Sequence, residues 1–446
     1  MGEEHHPYTE MGNALRFVAR HRDMVRYVPA WKRWLVWDGT RWAVDHLNRT
    51  MVLAKETVTD LAKRAAEQWR DTLNEHAERS QSLHHLQTMI RLAESEPDIP
   101  VTPLQLDADP WALTVENGTL DLRSGGLHAH RPADLITKLA PVLYDSGATA
   151  PNWDQFLKRI MAGDDDVCRY LQRVLGYTLT GDTREQVFFV LYGAGANGKS
   201  TLLNTVRAIL GDYAKDTPSQ TLLVKPSDGI RNDLARLHGA RFVTAIETDP
   251  GKQLAKSQLK QITGGDPITA RFLYGEYFEY VPQFKLFMAT NHRPRIKGTD
   301  EGIWRRVHLI PFEVAIPKEE QDVNLGRTLL AEGPGILRWM VEGCLAWQRD
   351  GLSMPSRVKR ATTEYRREED VLARFLDETF DVDEAGRIPK DDMYQAYAGW
   401  CAQHKESRIT KKALGRYLKE QRGFRDGKSG SERYWTGLRL QQDAAD

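Results

Sequence analysis

The sequence predicts an α/β protein: a layered core with a largely parallel sheet, preceded by an α+β region and followed by a small helical unit that closes with a hairpin. Three observations predict it. Short apolar runs (VFFVLYG, ARFVTAIE, FKLFMATN, RVHLIPFEV) alternate with helical stretches over about residues 151–340, the pattern of an α/β layer. A glycine-rich loop, 193–200, lies between the first of these runs and a helix. The last region, about 355–446, is helix-rich and locally basic.

The chain has 446 residues, 41% of them hydrophobic and 28% charged, enough to bury a sizeable core in two to four domains at roughly 150 residues each. No apolar run approaches the roughly 20 residues needed to span a bilayer. The start, MGEEHHPYTEMGNALRF, is polar and acidic where a secretion signal would be basic and then apolar. Cys168, Cys344 and Cys401 stand far apart, so neither a disulfide framework nor a CxxC zinc site is expected. A cytosolic protein without membrane partners is the expectation. Lys+Arg and Asp+Glu are both 62, so net charge singles out no partner.

Taken in order, residues 1–150 open with a helix at MGNALRFVARH. In YVPAWKRWLVWDGTRWAVD, Trp34, Val36, Trp42 and Val44 alternate at period two around an Asp38-Gly39 turn. Residues from about Thr50 to Ser95 read as helix, with no Pro or Gly to interrupt them. LTVENGTLDLRSGGLHAHRP reads as a hairpin. The aromatic hairpin near Trp34 is expected to be core. Residues 355–446 read as two amphipathic helices (REEDVLARFLDETF, KDDMYQAYAGWCAQH), a third helix KKALGRYLKEQ capped by Thr410, and a hairpin around 428–431. From Lys405 to Arg439 eleven basic residues face four acids. Helix, helix, basic helix, basic hairpin is the order of a winged helix-turn-helix, whose third helix, with Lys411, Lys412 and Arg416, would meet DNA. A lid or oligomerisation unit with a basic surface is the other reading.

The strongest local signal is Gly193-Ala194-Gly195-Ala196-Asn197-Gly198-Lys199-Ser200, which matches GxxxxGK[ST] and runs through Thr201 into a helix. A strand before and a helix after are the context that this motif requires. Its backbone N–H groups and the helix N-terminus suit phosphates. Lys199 would reach the β- and γ-phosphates and Ser200 would hold Mg²⁺. The implied ligands are ATP and Mg²⁺. Hydrolysis needs further groups. Glu247, at the end of the next apolar strand, is the first candidate carboxylate and Asp249 the second. Asn291, ending a third strand, could orient water against the γ-phosphate. Of Arg305 and Arg306, one could stabilise the developing charge in a neighbouring subunit.

These residues resemble superfamily 3 DNA helicases, the AAA+-type motors of small viruses, phages and plasmids, and within them the poxvirus and phage/plasmid primase–helicase family. Gly193–Ser200 matches the family's Walker A motif, Ala245-Ile246-Glu247 its Walker B, and KQITGGDPITAR (260–271) its extra motif. Ala289-Thr290-Asn291 matches motif C, and Trp304-Arg305-Arg306 with Ile310-Pro311-Phe312 the arginine-finger segment, with Arg306 at the finger position. YVPAWKRWLVWDGTRW and VENGTLDLRSG are similar to the family's accessory domain.

The resemblance implies an AAA+ ATPase core over 151–340, an accessory domain over 1–150 and a winged-helix domain over 355–446. It further implies an ATP-dependent DNA helicase of phage- or plasmid-type replication in a bacterial cytoplasm, working as a hexameric ring. Lys199, Glu247, Asn291 and Arg306 would be catalytic, Ser200 and Glu247 would hold the metal, and Lys260, Arg271, Phe272 and Tyr274 would touch single-stranded DNA in the pore. Two departures stand out. Glu247 is followed by Thr248 rather than a second acid, and only about 150 residues precede the motor, so a separate primase or polymerase is the expected partner. Asp107 and Asp109 are too isolated to form a primase palm. The competing readings are an origin-binding or loader ATPase that unwinds nothing and a P-loop small-molecule kinase.

Overall fold

The computed structural model describes residues 6–68, 71–224, 232–246, 252–271, 276–296, 300–406, 408–420, 422–430 and 432–441. Thr9 caps α1 (Glu10–His21) by accepting a 3.1 Å hydrogen bond from the Gly12 N–H. An antiparallel sheet follows: β1 (Val25–Val28), β2 (Arg33–Trp37) and β3 (Trp42–Val44). Its fully buried side chains are Val25, Val28, Leu35 and Trp42, while Trp34, Val36 and Val44 stay half-buried. Leu35 pairs with Val44 and Trp37 with Trp42, so the expected set of Trp34, Val36, Trp42 and Val44 is not the buried one. The helix expected over 50–95 is instead three: α2 (Arg49–Gln68), α3 (Asp71–Ser80) and α4 (Leu83–Ala93). Ser82 starts the last by capping it, a competing local hydrogen bond that a Pro/Gly count does not register.

A second antiparallel sheet comprises β4 (Ala112–Val115), β5 (Gly118–Asp121) and β6 (Gly126–His128). It buries Leu113, Val115, Leu120 and Leu122 in the same core as the helices that follow. Those are α5 (Pro151–Ile160) and α6 (Asp165–Thr178). They lead into β7 (Phe188–Tyr192), α7 (Lys199–Leu210), β8 (Ala214–Pro218), α8 (Asn232–Ala235), β9 (Phe242–Ile246) and α9 (Lys256–Gly264). An antiparallel hairpin of β10 (Ile268–Arg271) and β11 (Tyr277–Tyr280) precedes β12 (Lys285–Thr290), α10 (Glu301–Trp304) and β13 (Val307–Pro311).

Strands β7, β8, β9, β12 and β13 form one all-parallel sheet in the order β13-β7-β12-β9-β8. The central runs FFVLY, KLFMAT and FVTAI, and VHLIP at one edge, are buried almost throughout, as a sheet covered on both faces requires. Alternate residues serve opposite faces. Phe189, Leu191 and Phe287 pack with α5, α6 and α7, whereas Phe188, Val190 and Met288 pack with α8 and α9. Each such fully buried side chain contributes roughly 1.5–3 kcal/mol of transfer free energy. The chain then adds α11 (Leu325–Ala331), α12 (Gly333–Asp350) and α13 (Ser356–Glu369).

The C-terminal unit has its own core of Phe375, Tyr397, Trp400, Leu414 and Trp435. It contains α14 (Val371–Thr379), β14 (Phe380–Pro389), α15 (Lys390–Gln403), α16 (Lys411–Glu420), β15 (Arg425–Ser429) and β16 (Glu432–Leu440). The helices and the closing hairpin follow the expected order. Strand β14 is additional and completes the sheet β14-β16-β15. Its pairing with β16 shifts register between Val382 and Arg387, which breaks the alternation by which a strand is recognised in sequence.

Two buried cations brace the end of the parallel sheet where its strands begin. The Arg241 guanidinium donates to the carbonyls of Leu179 (2.7 Å), Ala112 (2.8 Å) and Asp109 (3.3 Å) and lies 4.7 Å from the Tyr213 ring centroid. Lys285 Nζ donates to the carbonyls of Thr180, Asp182 and Gln283. Full burial pushes its pKa well down. The carbonyls just past α6 have no partners within that helix, and the two cations supply them. The connection from α6 to β7 is thereby held against the sheet.

His308 in β13 is buried with the Phe189 ring edge-on at 5.6 Å, and its Nδ1 shares a hydrogen bond with Tyr170 Oη. Burial lowers its pKa from 6.5 to about 4. The unfolded chain therefore binds the proton first, so this group's stability is complete above about pH 6.5 and drains away as pH falls towards 4. Between pH 7.5 and 5 the loss is about 2 kcal/mol, from about 1.4 kcal/mol per pKa unit. Urea unfolding across that range should show this increment in the native chain and lose it in His308→Gln.

Candidate active site

Loop 193–200 connects β7 to α7 at the end of the sheet where the parallel strands finish. Gly193 has no room for a side chain, since a Cβ there would stand 2.0 Å from the Phe312 carbonyl oxygen. At Gly198 φ is +85°, and a Cβ would meet Ile160 Cγ2 at 2.5 Å. With Ala196 also left-handed at φ 56°, the loop curls tightly enough to gather N–H groups above α7. Asn197 holds the curl by donating from Nδ2 to the carbonyls of Ala194 and Phe312.

Lys199, 5% exposed, occupies the middle of the loop. Its Nζ donates to Gly193 O (2.6 Å), Ala194 O (3.0 Å), Asn197 Oδ1 (3.0 Å) and Asn291 Oδ1 (3.1 Å). Burial lowers its pKa from the ordinary lysine value. The contact with Asn291 joins residues 92 apart in sequence, because β12 lies beside β7 with Thr290 opposite Tyr192. Ser200 and Asn291 are exposed at the same edge, Thr201 is half-buried behind them, and Ala194, Gly195 and Ala196 form the exposed rim. An ammonium, an unobstructed hydroxyl in the first helical turn and a cradle of backbone N–H groups are a fitting donor set for a metal-bound polyphosphate. Strand β9, next to β12, ends at Ile246. Glu247 and Asp249 lie outside the described residues.

Arg305 and Arg306 sit at the other end of the sheet, just before β13. Val307 is level with Phe188 in the register, so Arg306 lies about five residues of strand, roughly 16 Å, from the start of its own loop 193–200. Arg306 is 8% exposed while Arg305 is exposed. Both donate to Gln186 Oε1, at 3.1 Å and 2.9 Å. Lys260, on α9 at this end, pairs with Asp300. Arg271 closes β10 with its guanidinium 4.8 Å from the Tyr277 ring centroid; Phe272 and Tyr274 fall outside the described residues. On α16, Leu414, Tyr417 and Leu418 face the core, leaving Lys412 and Arg416 exposed, while Lys411 pairs with Asp391. Asp107 is engaged by Lys138 and Thr137, and Asp109 by Arg123, as structural acids are.

Two residues near these groups carry no motif. Arg293, two positions after Asn291, lies 4.8 Å over Tyr192 and pairs with Glu368 of α13. Gln186 gathers both arginines. Only the cation following Asn291 was available as a sequence signal; a glutamine in a turn carries none.

Three family descriptions match successive parts of the chain: D5 N terminal like over 14–162, a family of unknown function (DUF5906) over 191–306, and Poxvirus D5 protein-like over 367–429. "Putative helicase L207/L206" of Acanthamoeba polyphaga mimivirus is 32% identical over 320 residues, 66% of this chain and 33% of that protein. "Putative helicase 022R" of Frog virus 3 is 28% identical over 276 residues, 57% of this chain and 28% of that one. "Putative primase C962R" of African swine fever virus is 24% identical over 210 residues, covering 45% and 22%. The chain thus spans about a third or less of these relatives' lengths.

Its fold is similar to the apo structure of the NrS-1 C terminal region (TM-score 0.55, 12% identity), covering 98% of this chain and 100% of that one. The relatives come from large DNA viruses, so the expected bacterial host gains no support from them. Among the described residues no helix is long and apolar enough to cross a membrane. From its D5-type N- and C-terminal regions and its viral relatives, the chain belongs to the D5-like primase–helicase family.

Proposed function

We propose that the chain is an ATP-dependent DNA helicase motor with an AAA+-type P-loop core, working as a ring of identical subunits, a hexamer by family likeness. The observation that carries this reading is the Lys199–Asn291 contact at one end of the sheet, with Arg305 and Arg306 at the opposite end. Lys199 binds the β- and γ-phosphates of ATP, and Asn291 orients the attacking water. Ser200 and Glu247 are the residues to hold Mg²⁺, which when bound neutralises charge on the phosphates. An arginine so far from its own loop can reach only a neighbour's nucleotide, which supports subunits meeting edge to edge. Hairpin β10–β11, with Arg271 paired on an aromatic ring, suits a single strand held by phosphate contact and stacking. Lys260 is engaged with Asp300 and contributes less to that path than Arg271. The C-terminal unit acts as a winged helix, presenting Lys412, Arg416 and Lys419 of α16 to duplex DNA.

The deciding experiment is displacement of a labelled strand from a forked duplex by the purified chain with ATP and Mg²⁺, beside ATP turnover with and without single-stranded DNA. Displacement that stops without ATP, together with DNA-stimulated turnover, is expected. Turnover with DNA binding but no displacement would instead support a loader ATPase. Turnover indifferent to DNA would overturn both.

A further inference from the structure

We infer that Gln186 is the positioning residue of the arginine pair, holding Arg305 and Arg306 in the direction from which they act on a neighbouring subunit's nucleotide. This rests on the ring reading above. Three features of the turn before β7 carry it. The side-chain oxygen of Gln186 is shared, accepting from Arg305 Nη2 at 2.9 Å and from Arg306 Nη1 at 3.1 Å. Its nitrogen donates to the Gly264 carbonyl at 3.0 Å, so one amide ties the arginines to the end of α9. Its backbone is left-handed, with φ at 54°, a region that glycine enters freely and a glutamine does not. A strained residue kept where glycine would be relaxed points to a requirement for the side chain.

The amide is well placed for this work. The segment behind it is braced by Arg241 on the Leu179 carbonyl and by Lys285 on those of Thr180 and Asp182, so the turn is a rigid base. Arg306 Nε has no hydrogen-bond partner among the described residues. Without Gln186, Arg306 would also lose the contact made by Nη1. An amide holds the pair without neutralising it, whereas a carboxylate at this position would cancel the charge a transition state needs.

The test uses the full chain carrying Gln186→Gly, which relaxes the backbone and removes the side chain with its amide. The expected result is thermal stability at or above that of the native chain, native oligomer size, and a kcat for ATP about 10–100-fold lower with KM within about twofold, the size of loss that misplaced reacting groups produce. Co-assembly of Gln186→Gly with Lys199→Ala then distinguishes action across the seam. Mixed rings contain seams with an intact Lys199 loop on one side and an intact Gln186 on the other, so turnover should exceed the sum of the separate variants. Native kcat in Gln186→Gly, loss of the native oligomer, or mixing that adds nothing would each overturn the inference. If Arg305→Ala and Arg306→Ala both turn over ATP at the native rate, the ring reading falls with it. If they fail while Gln186→Gly does not, only the inference falls.

Discussion

Lys199→Ala should abolish ATP turnover while the chain still folds. In the structure the ammonium is the hub of the loop, donating to two loop carbonyls, to Asn197 and to Asn291. These are holding contacts for a cation that charged phosphate oxygens would outcompete. On the proposed reading, removing it deprives the γ-phosphate of a positive charge and releases Asn291, the group proposed to orient water. Single preorganised donors of this kind are worth about 10²–10³ in rate, and the loss of two linked functions places the expected fall at about 1000-fold, or about 4 kcal/mol of barrier. Stability should change little, because the variant also removes the cost of desolvating a buried ammonium. Steady-state hydrolysis beside a thermal melt checks both halves, and native turnover would refute the assignment.

Arg306→Ala and Arg305→Ala address the opposite edge. Family likeness points to Arg306, whereas the structure buries Arg306 against Gln186 and exposes Arg305. A charge supplied in trans to a transferring phosphoryl group is worth roughly 10³–10⁵ in kcat, so the variant lacking it should be inactive alone. If, as proposed, each arginine serves the adjacent site, doping the inactive subunit into native rings should depress activity more steeply than its mole fraction. A linear decline for both variants would argue against catalysis at a shared seam.

Much of the site was legible from the chain because its parts are local. Gly193–Ser200 is one contiguous turn between a strand and a helix, and its glycines meet the backbone demands of a single loop. Asn291 was legible for a similar reason, as the polar residue that ends an apolar run. Other features lay beyond local reading. The break between α3 and α4 depends on Ser82 competing for a backbone N–H. Strand β14 hides behind a register shift, and the buried face of the first sheet, Leu35 with Trp42, depends on what packs over it.

The sequence by itself determined the strand–loop–helix around Lys199, the alternation that makes a parallel α/β sheet, and the order of helices and hairpin at the C-terminal end. Each follows from dihedral preference, hydrophobic period or capping over a few neighbouring residues. Only the tertiary structure decided the strand order that sets Asn291 against Lys199 and puts Arg305 and Arg306 at the far edge. It alone shows the buried cations beneath the sheet and the glutamine that grips both arginines. Those relations join residues far apart in the chain, and they exist only once packing and the satisfaction of buried polar groups have chosen one arrangement.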